Sequence, residues 1–229
     1  MKQGIFYAVG VGPGEAELIT VKAVRILKEA SVIAAPVTKK RNMAALDIAG
    51  QCTDLSEKEI LPLEFTMTKD REMLEANYRK QAEKIMAYLK KGQDVAMVNI
   101  GDVSIYATCS YIADFIRQAG YEAVMVPGVP SFCAVAAKLG VSLTKPDAPL
   151  HIIPASYGIG SALGLAGNKV LMKSGKGYRD VKDELKEKEL LEHAMMVENC
   201  GLPEEKVYPN MADAPEDAGY FSTILVRED

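Results

Sequence analysis

Three short segments carry residue types that could hold a ligand against bare backbone: VGVGPGE (residues 9–15), IGDVSIY (100–106) and VPGVPSF (126–132). Each follows an apolar run of strand character and precedes a helical one. Glycine lets a backbone come close to a ligand, and ligands of open parallel sheets bind at the carboxyl ends of the strands. In the second segment Gly101 permits a sharp exit from the sheet and Asp102 brings a carboxylate to the mouth of a crevice. The alternative is that Asp102 or Ser104 caps the following helix. In the third, the small side chains after a Pro-Gly turn either admit a flat ligand or let an Ala-rich helix pack. If the three strands are parallel neighbours, the three bends converge, and convergence raises the set above its members.

Other chemistries are excluded by specific residues. A dinucleotide fingerprint needs a third glycine where Glu15 stands, and an acidic residue at the end of the next strand, which reads Ile33, Ala34, Ala35, Pro36. Pro13 also removes a backbone donor that a pyrophosphate would use. Ser174-Gly175-Lys176-Gly177 lacks the upstream glycine and the hydroxyl residue of a phosphate-binding loop. No nucleophile elbow, Ser/His/Asp set or paired carboxylates appear. Cys52, Cys109, Cys133 and Cys200 are widely spaced, with only His151 and His193 to assist them, so no metal site is expected and the thiols read as free and buried.

The elements that must position these bends follow from periodicity. Strands are predicted at 5–9, 32–35, 94–100 and 123–126, with a short extended piece at 60–61 and helices at 18–29, 42–52, 70–91, 104–118 and 131–138. This alternation is the rhythm of a parallel sheet covered on both faces. After Gly140 the pattern shifts to strands at 150–154, 169–173, 195–197 and 221–226, loops, and one charged helix over 178–191, which predicts a mixed sheet. The expected organisation is therefore two α/β domains, residues 1–127 with a mostly parallel sheet and residues 128–229 with a mixed one.

The 229 residues are 48% hydrophobic and 25% charged, ordinary values for a globular protein. Lys and Arg (27) are outnumbered by Asp and Glu (31), giving a net charge of -4 that argues against nucleic acid as a partner. No apolar run reaches the roughly 20 residues that cross a bilayer, and no signal peptide is recognisable, so no membrane partner and a cytoplasmic location are expected.

Taken in order, VGVGPGE followed by LITVKA, then GDVSIY, VPGVPSF, VENC (197–200) and FSTILV (221–226) resemble the tetrapyrrole methylase family of S-adenosylmethionine-dependent methyltransferases. The GDVSIYATCSYI segment is most similar to the branch that methylates C20 of precorrin-2 or cobalt-factor II in corrin biosynthesis. The resemblance implies two α/β domains with S-adenosylmethionine in the cleft between them, a tetrapyrrole substrate that carries any cobalt on its own nitrogens, and a homodimer. Position by position it assigns cofactor contacts to Pro13, Ile100, Gly101, Asp102, Ile105, Pro130 and Ser131, with Lys173 and Cys200 as further contacts. Val103 stands where the wider family has proline, and Pro130 where Ser or Thr is common.

Such a transfer needs positioning more than acid-base groups. Asp102 is the candidate for positioning, and Tyr220, before the last strand, the candidate for touching the cofactor or the reacting edge, packing being its alternative. Lys39, Lys40, Arg41, Lys173, Lys176 and Arg179 are candidate cations for an acidic substrate, with solubility as the competing explanation. Remaining alternatives are another substrate within the family (another corrin position, uroporphyrinogen, a protein or ribosomal RNA) and a cofactor-binding module without catalysis.

Overall fold

The computed structural model describes residues 2–38, 42–66, 68, 70–219 and 221–228, with the Lys176 side chain outside that description. The chain divides into two compact units, Met1–Pro130 and Ser131–Asp229.

The first unit is built on five strands, β1 (Phe6–Gly10), β2 (Val32–Val37), β3 (Glu59–Glu64), β4 (Val95–Asn99) and β5 (Ala123–Val126). All pair in parallel, in the order β3-β2-β4-β1-β5. The helices between them are α1 (Val21–Glu29), α2 (Ala44–Cys52), α3 (Arg71–Leu89) and α4 (Thr108–Gln118). The central strands read as unbroken apolar runs because both faces of the sheet are covered. Phe6, Ala8, Val32, Ala34, Val95 and Met97 form one core with Ala82 and Ile85 of α3 and Ile112 and Ile116 of α4. Their alternates Val9, Ile33, Ala35, Ala96 and Val98 are equally buried on the face that α1 and α2 contact. Right-handed crossovers put the two helix pairs on opposite faces, since the chain first moves outward from β1 to β3 and then returns to lay down β4 and β5. The direction changes between β1 and β4, which makes their carboxyl ends the topological switch point of the sheet.

Two expectations are corrected here. The helix predicted from residue 104 starts at Thr108, because Asp102 spends its carboxylate on other partners. The extended piece at 60–61 grows into the whole of β3 despite Pro62; β3 lies at the sheet edge, where a missing N–H is tolerated.

The second unit contains α5 (Ser131–Leu139), β6 (Leu150–Pro154), α6 (Gly160–Leu163), β7 (Asn168–Met172), α7 (Tyr178–Glu187), β8 (Ala194–Glu198), β9 (Lys206–Tyr208) and β10 (Ser222–Val226). The sheet order is β6-β7-β10-β8-β9, with β6 and β7 parallel and every other pair antiparallel. Its core gathers Ile153, Leu171, Tyr178, Leu185, Met196 and Ile224. The mixed sheet agrees with the reading of the sequence, whereas α6 and β9 were not expected and the charged helix ends at Glu187 rather than 191. The thiols divide: Cys109 and Cys200 are buried, Cys52 is half-buried and Cys133 is exposed, so the expectation of four buried thiols is corrected. No helix of the described residues is long and apolar enough to cross a membrane.

Two lysines are buried in this unit. The Lys169 side chain is 1% exposed and its ammonium donates to Glu228. Lys182, at 9%, donates to Ala214 O at 2.7 Å and to Glu216 Oε1 at 2.7 Å. A buried ammonium deprived of its partner is strongly destabilising. Hydrogen bonds from these lysines hold both carboxyls below their ordinary value of 4.5. A depressed carboxyl contributes stability that is present above its unfolded value and is lost as pH falls through the lower folded value. The unfolding temperature, followed by circular dichroism, is expected to fall as pH drops from about 5 to about 3. Glu228→Gln is expected to lower it already at neutral pH and to flatten that acid limb.

Candidate functional site

The three bends meet at the switch point. Beyond the ends of β1 and β4 the chains keep pairing: Val11 N donates to Asn99 O at 2.9 Å and Gly101 N to Gly12 O at 2.7 Å, so Gly12 and Gly101 form an isolated antiparallel bridge. Both are in the left-handed region, with φ of +82° and +75°. The bend after β5 closes on the same point. A Cβ added to Gly128 would stand 2.3 Å from Gly101 O and 2.8 Å from Gly10 C, and one added to Gly10 would stand 2.7 Å from Gly128 N. Only glycine lets these three backbones approach so closely, which explains the residue type in each motif.

Asp102 ties the bends together. Its Oδ1 accepts from Ser104 N at 2.8 Å and from Ser104 Oγ, and its Oδ2 accepts from Gly128 N at 2.9 Å. Burial pushes this carboxyl up, but the hydrogen bonds from Ser104, Gly128 and Val103 outweigh burial and hold it below the usual range. Asp102 is therefore an ionised, immobilised carboxylate at neutral pH. The capping alternative does not hold, since α4 starts after Ala107 without a side-chain cap. Asn99, which the sequence reading passed over, donates from Nδ2 to Ile100 O at 2.8 Å and to Asp102 O at 3.3 Å, fixing the loop from inside. An amide at the end of an otherwise apolar strand was the available signal.

Of the expected contacts, Pro13 is buried directly after the bridging Gly12, Ile100, Gly101, Asp102 and Ile105 lie on the β4 bend, and Pro130 lies two residues beyond Gly128. In the second unit, β7 and β8 flank β10 and both run antiparallel to it, so Lys173 after β7 and Cys200 after β8 fall at one sheet edge, beside the start of β10. Ser131 Oγ comes within 3.4 Å of Thr223 Oγ1 at that same edge. Lys173 has φ of +58° and burial lowers its pKa. Next to it the Ser174 hydroxyl is buried without a hydrogen-bond partner. Tyr220, Lys39, Lys40 and Arg41 lie outside the described residues. Arg179 is exposed and pairs with Asp217 at 3.6 Å.

Such a site offers backbone carbonyls, bare glycine surface and one fixed negative charge, which suits holding and orienting a ligand with cationic or donor groups.

A family model described as Tetrapyrrole (Corrin/Porphyrin) Methylases matches residues 6–215. A Methanocaldococcus jannaschii protein named "Probable cobalt-precorrin-2 C(20)-methyltransferase" is 38% identical over 149 residues, which is 65% of this chain and 63% of that protein's length. The cobalt-precorrin-2 C(20)-methyltransferase of Salmonella typhimurium is 31% identical over 231 residues, covering 98% of this chain and 97% of the relative. The structure of uroporphyrin-III C-methyl transferase from Thermus thermophilus in complex with S-adenosylhomocysteine shares the fold, with a TM-score of 0.70 at 18% identity over 98% of this chain and 92% of that one. With the family model matching nearly the whole chain and a relative aligned end to end, the chain belongs to the tetrapyrrole methylase family.

Proposed function

We propose that the protein is an S-adenosylmethionine-dependent methyltransferase that places a methyl group on C20 of precorrin-2 or of its cobalt form, cobalt-factor II. The observation that carries the donor assignment is the closed meeting of the Gly10, Gly101 and Gly128 backbones around ionised Asp102. The names of the relatives support the substrate and the ring position. Any cobalt belongs to the substrate. A homodimer and a cytoplasmic location are part of the same reading.

The residues present suit the donor. A sulfonium and an ammonium are both cations, and Asp102 with the loop carbonyls presents the complementary sign. Bare glycine backbone lets a nucleoside lie close. When bound, S-adenosylmethionine supplies an electrophilic methyl group on a positively charged sulfur. The chain's part is to hold and orient. Asp102 is the positioning residue, and Pro13, Ile100, Gly101, Ile105 and Pro130 shape the pocket; Ser131, Lys173 and Cys200 are the further donor contacts in this reading. Val103 is buried in the β4 bend, and an apolar surround favours a transfer in which charge is lost. The acceptor carbon is already electron-rich, so alignment supplies much of the rate. Burial pushes the nearby Cys109 thiol up to about 12, so it stays protonated and does not compete for the methyl group. Tyr220 is assigned to the reacting edge.

Incubation with labelled methyl donor and either precorrin-2 or cobalt-factor II, read by mass spectrometry and carbon-13 spectra, is expected to give a single new methyl at C20. Donor binding without transfer, or a methyl at another carbon, overturns the assignment. Gly128→Ala is expected to cost about 1–3 kcal/mol of stability by overpacking, and to weaken S-adenosylhomocysteine binding, measured calorimetrically, by at least about tenfold. Asp102→Asn strands the Gly128 N–H against an amide, an unmade hydrogen bond worth about 1–3 kcal/mol. It is expected to weaken the same binding, while Ser104→Ala has the smaller effect.

A further inference from the structure

A cavity of about 880 Å3 opens at the carboxyl ends of β2 and β3. All five strands of this sheet run the same way, so the cavity lies on the same edge as the glycine bends. β2 is the hydrogen-bonded neighbour of β4 as far as Ala34 and Met97, so the cavity and the bend that carries Asp102 follow adjacent strands of that edge. Its size is that of a small-molecule site.

The lining has two characters. Val37, Pro62 and Phe65 give apolar surface, while α3 contributes Lys80, Gln81 and Lys84, Lys84 lying one turn beyond both of the others. Gln81 is only 2% exposed, and its Oε1 has no hydrogen-bond partner. Buried polar atoms are nearly always paired, so an orphaned oxygen lining a cavity points to a donor that arrives with a ligand. Neither Lys80 nor Lys84 makes an ion pair with any described residue, whereas their neighbour Arg79 pairs with Glu75 at 3.6 Å. Among the described lining residues Glu64 is the one acid against two lysines.

We infer that this cavity is the subsite for the acid-bearing part of a flat, apolar, polycarboxylate ring. Carboxylates at the ring's rim pair with Lys80 and Lys84, the ring body lies on Val37, Pro62 and Phe65, and Gln81 Oε1 accepts from an N–H or O–H of the same ligand. The inference rests on the tetrapyrrole reading above and places the substrate's acidic rim on α3, away from the loop cations considered from sequence.

The test uses the full chain and uroporphyrin, a stable ring with carboxylates around its rim, titrated by fluorescence. Lys80→Gln with Lys84→Gln is expected to weaken uroporphyrin binding at least about tenfold, as the loss of two charge-assisted contacts should. It should also blunt the salt dependence of binding and leave S-adenosylhomocysteine affinity within about twofold. Gln81→Leu, which removes the orphaned oxygen, is expected to weaken the porphyrin without lowering the unfolding temperature. Loss of binding in the lysine variant supports the subsite whether or not the wild type methylates C20. Unchanged uroporphyrin affinity in that variant, or no binding by the wild type, overturns it even if C20 methylation is observed.

Discussion

The closure of three backbones at Gly10, Gly101 and Gly128 is the constraint from which the first unit's architecture follows. Main-chain atoms can touch across separate loops only where no side chain intervenes, and only if the strands feeding those loops end level with one another. The register that pairs Gly10 with Asn99 and Val9 with Val126 brings the strand ends level. Asp102 then converts proximity into a fixed geometry, because a single carboxylate accepts from both its own loop and the facing one. The charge that makes this clasp strong is the same charge that a cationic ligand would meet.

Much of this arrangement was legible in the residues, for identifiable reasons. β1 and β4 were visible because a strand buried on both faces has to be apolar throughout, and the glycines because backbone contact admits no alternative side chain. The start of α4 was misread because Asp102 and Ser104 form a convincing local cap. The partner that decides the matter, Gly128, is 26 residues away in sequence and becomes a competitor only once the sheet has formed. Asn99 was overlooked for a different reason: its partners are local, the carbonyls of the turn it precedes, and that turn takes its shape only in the folded bend. β9 is a three-residue edge strand, too short for alternation to register. Lys80, Gln81 and Lys84 read as an ordinary solvated face of a long helix, and only the placement of α3 over the ends of β2 and β3 gives them a cavity to line.

The two units use charge differently. In the first, a carboxylate at the sheet edge is satisfied by N–H and O–H donors, which keeps it ionised without a cationic partner to cancel it. In the second, Lys169 and Lys182 are enclosed and matched to carboxylates and carbonyls, so their charge is consumed in holding the C-terminal segment against β7 and the 214–216 segment against α7.

The position of β4 between β1 and β2 also governs the order in which the molecule can be made. β1 and β2 share no hydrogen bonds with each other, and the strand that joins them is the fourth to emerge during synthesis. Until about the hundredth residue has left the ribosome, a nascent chain holds two unpaired apolar edges facing a slot with nothing in it. Such edges are templates for mispairing. β4 thus fills the slot and brings in the Asp102 bend, while the outer edge of β1 stays open until β5 pairs with it and delivers Gly128, so that competence to bind and escape from aggregation arrive together only with the fifth strand.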